Sequence, residues 1–406
     1  MTKLNNSQLL QNDMDQMKDT FAPHGTASTF LLTNARLVLA QDVVHASLKI
    51  TDGKIAEIIH GDVSSANAID CNGDFVSAGL IELHTDNLER HLQPRPGVFW
   101  PQGAAIIAHD RELAGVGITT VFDALRVGSI SSDNGVSYDK YARSVASVIQ
   151  DMQAKNLLQV RHGLHLRAEI CTDTVLDELA EFSHDDQVGI ISLMDHTPGQ
   201  RQFRDISKME EYLSGKYGMS REQMDAHFEH RYALSEKYSV INDKRVVELG
   251  QKLRAVLASH DDTTPSDVLA SSQKGVCIAE FPTTLEAAQA SCDAGISVMM
   301  GAPNILRGGS HSSNIAAQDL ADAGLLNILS SDYAPSSLLM AAVRLGLESG
   351  NMAHGIHTVT EAPAKAVGLQ DRGQILPGLN ADLIQFSVND RYPSVSAVWV
   401  GGQRIA

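Results

Sequence analysis

A chain of 406 residues with 43% hydrophobic content is long enough for a large catalytic domain and a smaller companion, and it holds no apolar run near the length that a membrane span needs. The formal net charge of -17 argues against a nucleic-acid or anionic-membrane surface, because both require clustered lysine and arginine. An anionic substrate would therefore have to be met by metal ions and local arginines.

Residues 1–26 are polar and mixed in charge, without the apolar centre of a secretory signal, and read as an N-terminal extension of a cytoplasmic protein. Short strands follow at Phe30–Ala40, Ala46–Ile50 and Ile55–His60, with Asp52-Gly53 as a hairpin turn. The far end matches, with Ala381–Val388 and Ser396–Val400 before Gly401-Gly402. Residues 27–77 and 372–406 thus predict a small β-sandwich built from both termini.

Between them lie apolar runs that end in polar or charged residues: 79–86, 118–124, 163–170, 188–196, 253–260, 275–281, 296–302 and 326–333. Separated by helix-like segments, they predict an α/β fold, a (β/α)8 TIM-like barrel over residues 78–371. Residues 204–250, rich in Lys, Glu, Arg and Met at helical spacing, exceed an ordinary crossover. They read as a helical excursion on the barrel rim or a solvated surface hairpin, with His227 and His230 expected at the surface rather than as ligands. Cys71, Cys171, Cys277 and Cys292 show no C-x-x-C pairing, the last two lie in or beside apolar segments, and buried free thiols are expected.

The run at 79–86 ends in His84 and Asp86, whose side chains point the same way on a strand and could share one metal ion. Glu169, His196, His260 and Asp332 close later runs in the same manner. Side chains at the carboxyl ends of successive parallel strands are how a β/α barrel builds its active site. Glu169 shares a face with His165 and Arg167, and could bridge two cations with Arg167 beside it or form a buried Arg–Glu pair. Asp195 and His196 should face opposite ways, and His196 is the favoured ligand. Asp261-Asp262 could orient the ring of His260. Asp332 could both touch a metal and accept a proton.

Over nearly its whole length the chain resembles the amidohydrolase superfamily, down to the tail Arg-Gly-Gln-Ile-Leu-Pro-Gly-Leu-Asn-Ala-Asp-Leu at 372–383. It departs from that pattern in having Asp86 where a second histidine is usual, and no lysine where a carbamylated bridging ligand would sit. Those departures match one branch. His-Thr-Asp-Asn-Leu-Glu-Arg-His (84–91), Pro-Arg-Pro-Gly-Val (94–98), His-Leu-Arg-Ala-Glu (165–169), Ser-Leu-Met-Asp-His-Thr-Pro-Gly-Gln-Arg-Gln-Phe (192–203) and Ser-Ser-Asp-Tyr (330–333) are similar to the diphosphatases of the carbon-phosphorus lyase pathway.

The resemblance implies a metal-dependent hydrolase of phosphonate catabolism that cleaves a phosphorylated sugar, α-D-ribose 1-methylphosphonate 5-triphosphate, to the 5-phosphate and diphosphate. On this reading His84, Asp86, Glu169, His196, His260 and Asp332 hold divalent metal, two ions if Glu169 bridges. A metal-bound hydroxide attacks phosphorus and Asp332 takes or relays its proton. Nitrogen and oxygen ligands suit zinc or manganese, and magnesium also serves phosphate chemistry. Arg95, Arg126, Arg201 and Arg307 are the candidate phosphate and phosphonate contacts, with Gly308-Gly309-Ser310-His311 as a loop of exposed amides. A homo-oligomer is compatible with the sequence. The alternatives are an amidase or deaminase acting on a C–N bond, and a metal-free structural paralogue.

Overall fold

The computed structural model describes residues 29–406 apart from 96, 131–138, 200, 202–205 and 311–313, and only the backbone at 208, 211, 212, 216 and 217. The N-terminal extension and His311 lie outside the described residues. In chain order the strands begin with β1 (Thr29–Val38), β2 (Val43–Thr51), β3 (Lys54–His60), β4 (Ala68–Asp70) and β5 (Phe75–Ala78). Next come β6 (Leu80–Thr85), β7 (Ile118–Val127), β8 (Arg161–Glu169), β9 (Val188–Met194), β10 (Val256–His260), β11 (Ile278–Glu280), β12 (Ser297–Gly301) and β13 (Ile328–Ser330). The chain closes with β14 (Leu383–Asn389), β15 (Tyr392–Val400) and β16 (Gln403–Arg404).

The terminal strands form one sheet in the order β16-β15-β14-β5-β1-β2-β3, with β4 beside β1. Its pairings are antiparallel except where β1 meets β4 and β5. The two ends of the chain join where β5 pairs β14, with Ala78 opposite Leu383 and Phe75 opposite Phe386. Asp52 and Gly53 both have positive φ, 51° and 75°, as a two-residue turn twisting with its strands requires. Gly53 is needed for space as well, since a Cβ there would stand 2.7 Å from the carbonyl oxygen of Gly401. Leu32, Leu48, Ile50, Leu383 and Trp399 are almost wholly buried in this sheet's core, each worth about 1.5–3 kcal/mol in apolar area removed from water.

The second sheet runs in simple sequence order from β6 to β13. Neighbours from β8 to β12 are parallel, and a parallel bridge from Thr85 to Asp332 links its first and last strands. This is a (β/α)8 barrel, and each apolar run of the sequence overlaps one of its strands, β7 and β8 extending beyond theirs. β6 and β9 are buried at every position, because parallel strands covered on both faces have no polar side to alternate with. Phe122 of β7 fills the space left by Gly163 and Gly189, where an added Cβ would stand 2.8 and 2.2 Å from its ring.

The described chain forms two compact units. One comprises residues up to Val121 with Met152–His162 and Ile328–Ala406, and the other Phe122–Asp151 and Gly163–Asn327. In the first, Arg161 grips Asp382 through two contacts of 3.2 Å, and Arg372 adds a third side-chain contact at 3.6 Å. Arg372 also pairs with Asp371, which ties the returning tail down through buried charge.

In the second unit, residues 204–250 contribute the helices Ile206–Tyr217 and Arg221–Leu253. Ser220 and Gln223 start the longer one with a reciprocal capping box. Its buried residues, Met224, His227, Phe228, Arg231, Asn242, Val246, Gly250 and Leu253, recur mostly at helical spacing along one face. His227 belongs to that stripe and is buried, contrary to the surface position expected of it; His230 is exposed. The cysteine expectation also needs correcting. Cys71 and Cys171 are buried, whereas Cys292 is half-buried and Cys277 exposed, because β11 begins only after Cys277. No helix among the described residues is long and apolar enough to cross a membrane.

Candidate metal centre

In the first unit β6 delivers His84 into a buried position, and Asp86 follows just past the strand as the residue that starts the short helix Asn87–Leu92. Their side chains approach to 3.8 Å, His84 Nε2 to Asp86 Oδ1. The backbone around Asp332 is laced to this segment. Its N–H donates to the His84 carbonyl at 3.1 Å, and its carbonyl accepts from the Asp86 N–H at 2.8 Å and the Thr85 hydroxyl at 2.9 Å. Asp332 sits in the left-handed region at φ 54°, uncommon for a residue with a side chain. Beneath them Glu82 accepts from the N–H groups of His84 and Ser331 at 2.7 and 2.6 Å. Burial nevertheless pushes its carboxyl up to about 7.

In the second unit the end of β8 supplies Glu169 and the segment after β9 supplies Asp195 and His196. Glu169 Oε2 accepts from His196 Nδ1 at 2.6 Å, while Oε1 accepts from the His196 N–H at 3.1 Å and from Arg231 Nη2 at 2.9 Å. Burial alone would raise the Glu169 carboxyl, but His196 and Arg231 together override it and hold it well below the usual carboxylate range. Burial opposes charge on His196 as well, and Glu169 outweighs it and raises that ring. Asp195 turns the other way, as strand alternation predicts, and accepts from Cys171 Sγ at 2.8 Å. The Cys171 thiol is pushed up by burial and by Asp195, which opposes the thiolate form a metal needs.

A second carboxylate stands behind His260. Glu280, at the end of β11, accepts from His260 Nδ1 at 2.9 Å and from the Ser192 hydroxyl at 2.8 Å, with His165 Nε2 at 3.6 Å from its other oxygen. His196 and His260 therefore both have Nδ1 turned to a carboxylate, which leaves Nε2 as the nitrogen for a cation. The rings lie edge to face with centroids 5.6 Å apart, and one ligand atom from each of His196, His260 and Asp261 falls within a common 4.8 Å. Two imidazoles backed by carboxylates, with a third carboxylate beside them, suit a divalent ion.

Of the four arginines, Arg126 and Arg201 are half-buried, and Arg95 and Arg307 are exposed. Arg126 lies in β7 with its guanidinium carbon 5.6 Å from the centre of the Tyr141 ring. Arg201 donates to the His260 carbonyl at 2.7 Å and to Asp262 at 3.1 Å, so it braces the loop after β10. Arg95 shares a backbone bridge with Val98, and Arg307 ends the helix Ala302–Arg307.

Three functional contacts escaped the sequence. Glu280 closes an apolar run as the other candidates do, and the same strand-end rule could have found it. Asp261, expected with Asp262 to orient the His260 ring, approaches Nε2 at 3.3 Å, and Glu280 takes Nδ1. Arg231 holds Glu169 from 62 positions away on a polar helix.

No protein-family model matches the chain. It is 42% identical over 378 residues, 92% of this chain and 100% of the relative, to the alpha-D-ribose 1-methylphosphonate 5-triphosphate diphosphatase of Escherichia coli (strain K12). The chain belongs to that diphosphatase's family. A D-hydantoinase of Geobacillus stearothermophilus matches over less, 31% identical across 37% of this chain and 29% of the relative. Among solved structures, an amidohydrolase superposes with a TM-score of 0.59 at 16% identity, covering 93% of this chain and 99% of its own, which is a likeness of fold.

Proposed function

We propose that this protein hydrolyses α-D-ribose 1-methylphosphonate 5-triphosphate to the 5-phosphate and diphosphate in phosphonate catabolism. The observation that carries this reading is the 42% identity, over the relative's full length, to the diphosphatase of that name. The proposed ligands are His84, Asp86, Glu169, His196, His260 and Asp332, at or just beyond the carboxyl ends of barrel strands. Zinc or manganese suits their nitrogen and oxygen atoms, and magnesium is the further candidate. Six donors serve two ions where a carboxylate is shared and one where none is.

Bound divalent metal supplies charge neutralisation at the phosphoryl oxygens and a water acidic enough to react at neutral pH. The protein's own groups do the rest. Glu169 and Glu280 hold the rings of His196 and His260 in one orientation. Asp332 takes the proton of the attacking water, which approaches the α-phosphorus in line with the departing diphosphate. Diphosphate leaves as a stabilised anion and needs no strong acid. Arg95, Arg126, Arg201 and Arg307 offer guanidinium forks to phosphate and phosphonate oxygens. In this reading the protein works in the cytoplasm on a small phosphorylated sugar, without nucleic acid or membrane, and the net charge of -17 supports that exclusion.

Phosphorus NMR of the products tests the reading directly. Diphosphate and the ribose methylphosphonate 5-phosphate should appear, should vanish after chelation and should return with added divalent ion. Release of orthophosphate instead would put the cut at a different bond. Full turnover by protein that metal analysis finds empty would remove metal from the mechanism. A C–N hydrolase reading has less behind it, because the hydantoinase match covers only 37% of this chain.

A further inference from the structure

The helix Arg221–Leu253 exceeds what a barrel crossover needs, and three contacts within the second unit say what it does. Near one end, Gly250 lies against Leu257 of β10 so closely that an added Cβ would stand 2.6 Å from a leucine methyl. Farther back, the Asn242 side-chain amide donates to the carbonyls of Ile170 and Thr172 at 2.8 and 2.7 Å. These carbonyls sit just past the end of β8, where the ladder has stopped and buried oxygens need new donors. Another three turns back along the same face, Arg231 Nη2 meets Glu169 Oε1 at 2.9 Å, with both side chains buried. The helix is thus fixed to the chain one and three residues beyond Glu169 as well as to Glu169 itself.

We propose that Arg231 is a positioning residue for the metal centre, pinning one oxygen of Glu169 so that the other stays on His196 Nδ1 and the ring keeps its Nε2 for the cation. A carboxylate can turn about its last bond and present either oxygen. With Oε1 held by Arg231 and the His196 N–H, that turn is blocked and Oε2 is the oxygen left at His196 Nδ1. A guanidinium keeps its charge at any working pH, so the grip does not lapse. Helix 221–253 is then part of the catalytic apparatus, and Arg231 acts through Glu169 rather than on substrate.

This inference rests on the metal-dependent reading above but not on the identity of the substrate, so the test begins with metal binding. Purified wild-type protein is stripped with chelator, and the Mn2+ dissociation constant is measured for it, for Arg231→Met and for the milder Arg231→Gln, with Tm recorded for each. Loss of a group that orients a ligand typically weakens metal binding about 10–100-fold, and at least tenfold weaker Mn2+ binding is expected in both variants. With saturating Mn2+, kcat should fall while KM stays within about twofold, since Arg231 does not touch substrate. A variant that melts earlier yet binds Mn2+ as tightly as wild type, or more tightly, with unchanged kcat, would reduce Arg231 to a structural ion pair. If Arg231→Met does not fold, Arg231→Gln alone decides by the same criteria. Failure of wild-type protein to turn over the triphosphate would sink the proposed function while leaving the Mn2+ comparison to stand on its own.

Discussion

Glu169 and Glu280 are both buried carboxylates set behind a histidine, yet they are neutralised by different means. Glu169 faces Arg231, a permanent cation, together with His196. Glu280 faces a serine hydroxyl and two imidazoles, groups that can be neutral. In both, the carboxylate takes Nδ1 of the ring and so leaves Nε2 turned away from it. The difference lies in what is stranded when the carboxylate is removed. Behind His196 that includes the full charge of Arg231, and behind His260 it includes a hydroxyl and two rings.

A carboxylate that does chemistry should behave unlike either. Asp332 is half-buried, and its backbone hydrogen bonds to His84 and Asp86 hold its segment in place. Asp332→Asn should lower kcat by about 10²–10⁴-fold, as loss of a general base does, while the urea midpoint of metal-free protein shifts little. Near-normal kcat with an unchanged pH profile would mean that the water's proton goes elsewhere.

Glu169→Gln comes next in size. Breaking a buried ion pair from one side costs about 3–5 kcal/mol, because a buried guanidinium loses its carboxylate. Urea unfolding of chelated protein measures this directly. Glu280→Gln should cost less, about 1–3 kcal/mol, the penalty of leaving neutral donors unsatisfied. Equal losses for the two variants would erase the distinction between them. Should the double variant Glu169→Gln/Arg231→Met recover most of the stability that Glu169→Gln loses, the stranded charge is identified as the cause.

The fold was legible because parallel barrel strands are buried on both faces. Runs such as Val188–Met194 contain no solvent-facing position to interrupt them. The ends of the strands were legible for the same reason, since His84, Glu169 and His260 each close an apolar run. Arg231 was not. An arginine on a helix that also carries Glu222, Glu229, Lys237 and Lys244 reads as one more solvated charge, and only the stripe of buried residues from Met224 to Leu253 sets it apart. The backing of His196 and His260 was hidden too, because it depends on which strands are neighbours rather than on which residues are adjacent in sequence. Asp261 next to His260 looked like the natural partner, and Glu280 on the neighbouring strand holds Nδ1 instead.

The smallest effect follows from the cation's influence on its own helix. His227 lies one turn before Arg231, is buried, and is pushed down to about 4, first by burial and then by the charges of Arg231 and His230. Its ordinary value is near 6.5, so between pH 6.5 and 4 the unfolded chain takes up a proton that the folded chain refuses. Stability from this residue is therefore complete above pH 6.5 and declines as the pH falls toward 4. At pH 5 the decline is on the order of 2 kcal/mol. His227→Gln has no ring to protonate, and its urea midpoint should drop less than that of wild type between pH 7.5 and pH 5 in chelated protein. Arg231→Met should give an intermediate drop, because it removes one of the charges that depress the ring but leaves the burial. Identical acid losses in wild type and His227→Gln would mean that the ring is charged in the folded protein, and that Arg231's influence ends at Glu169.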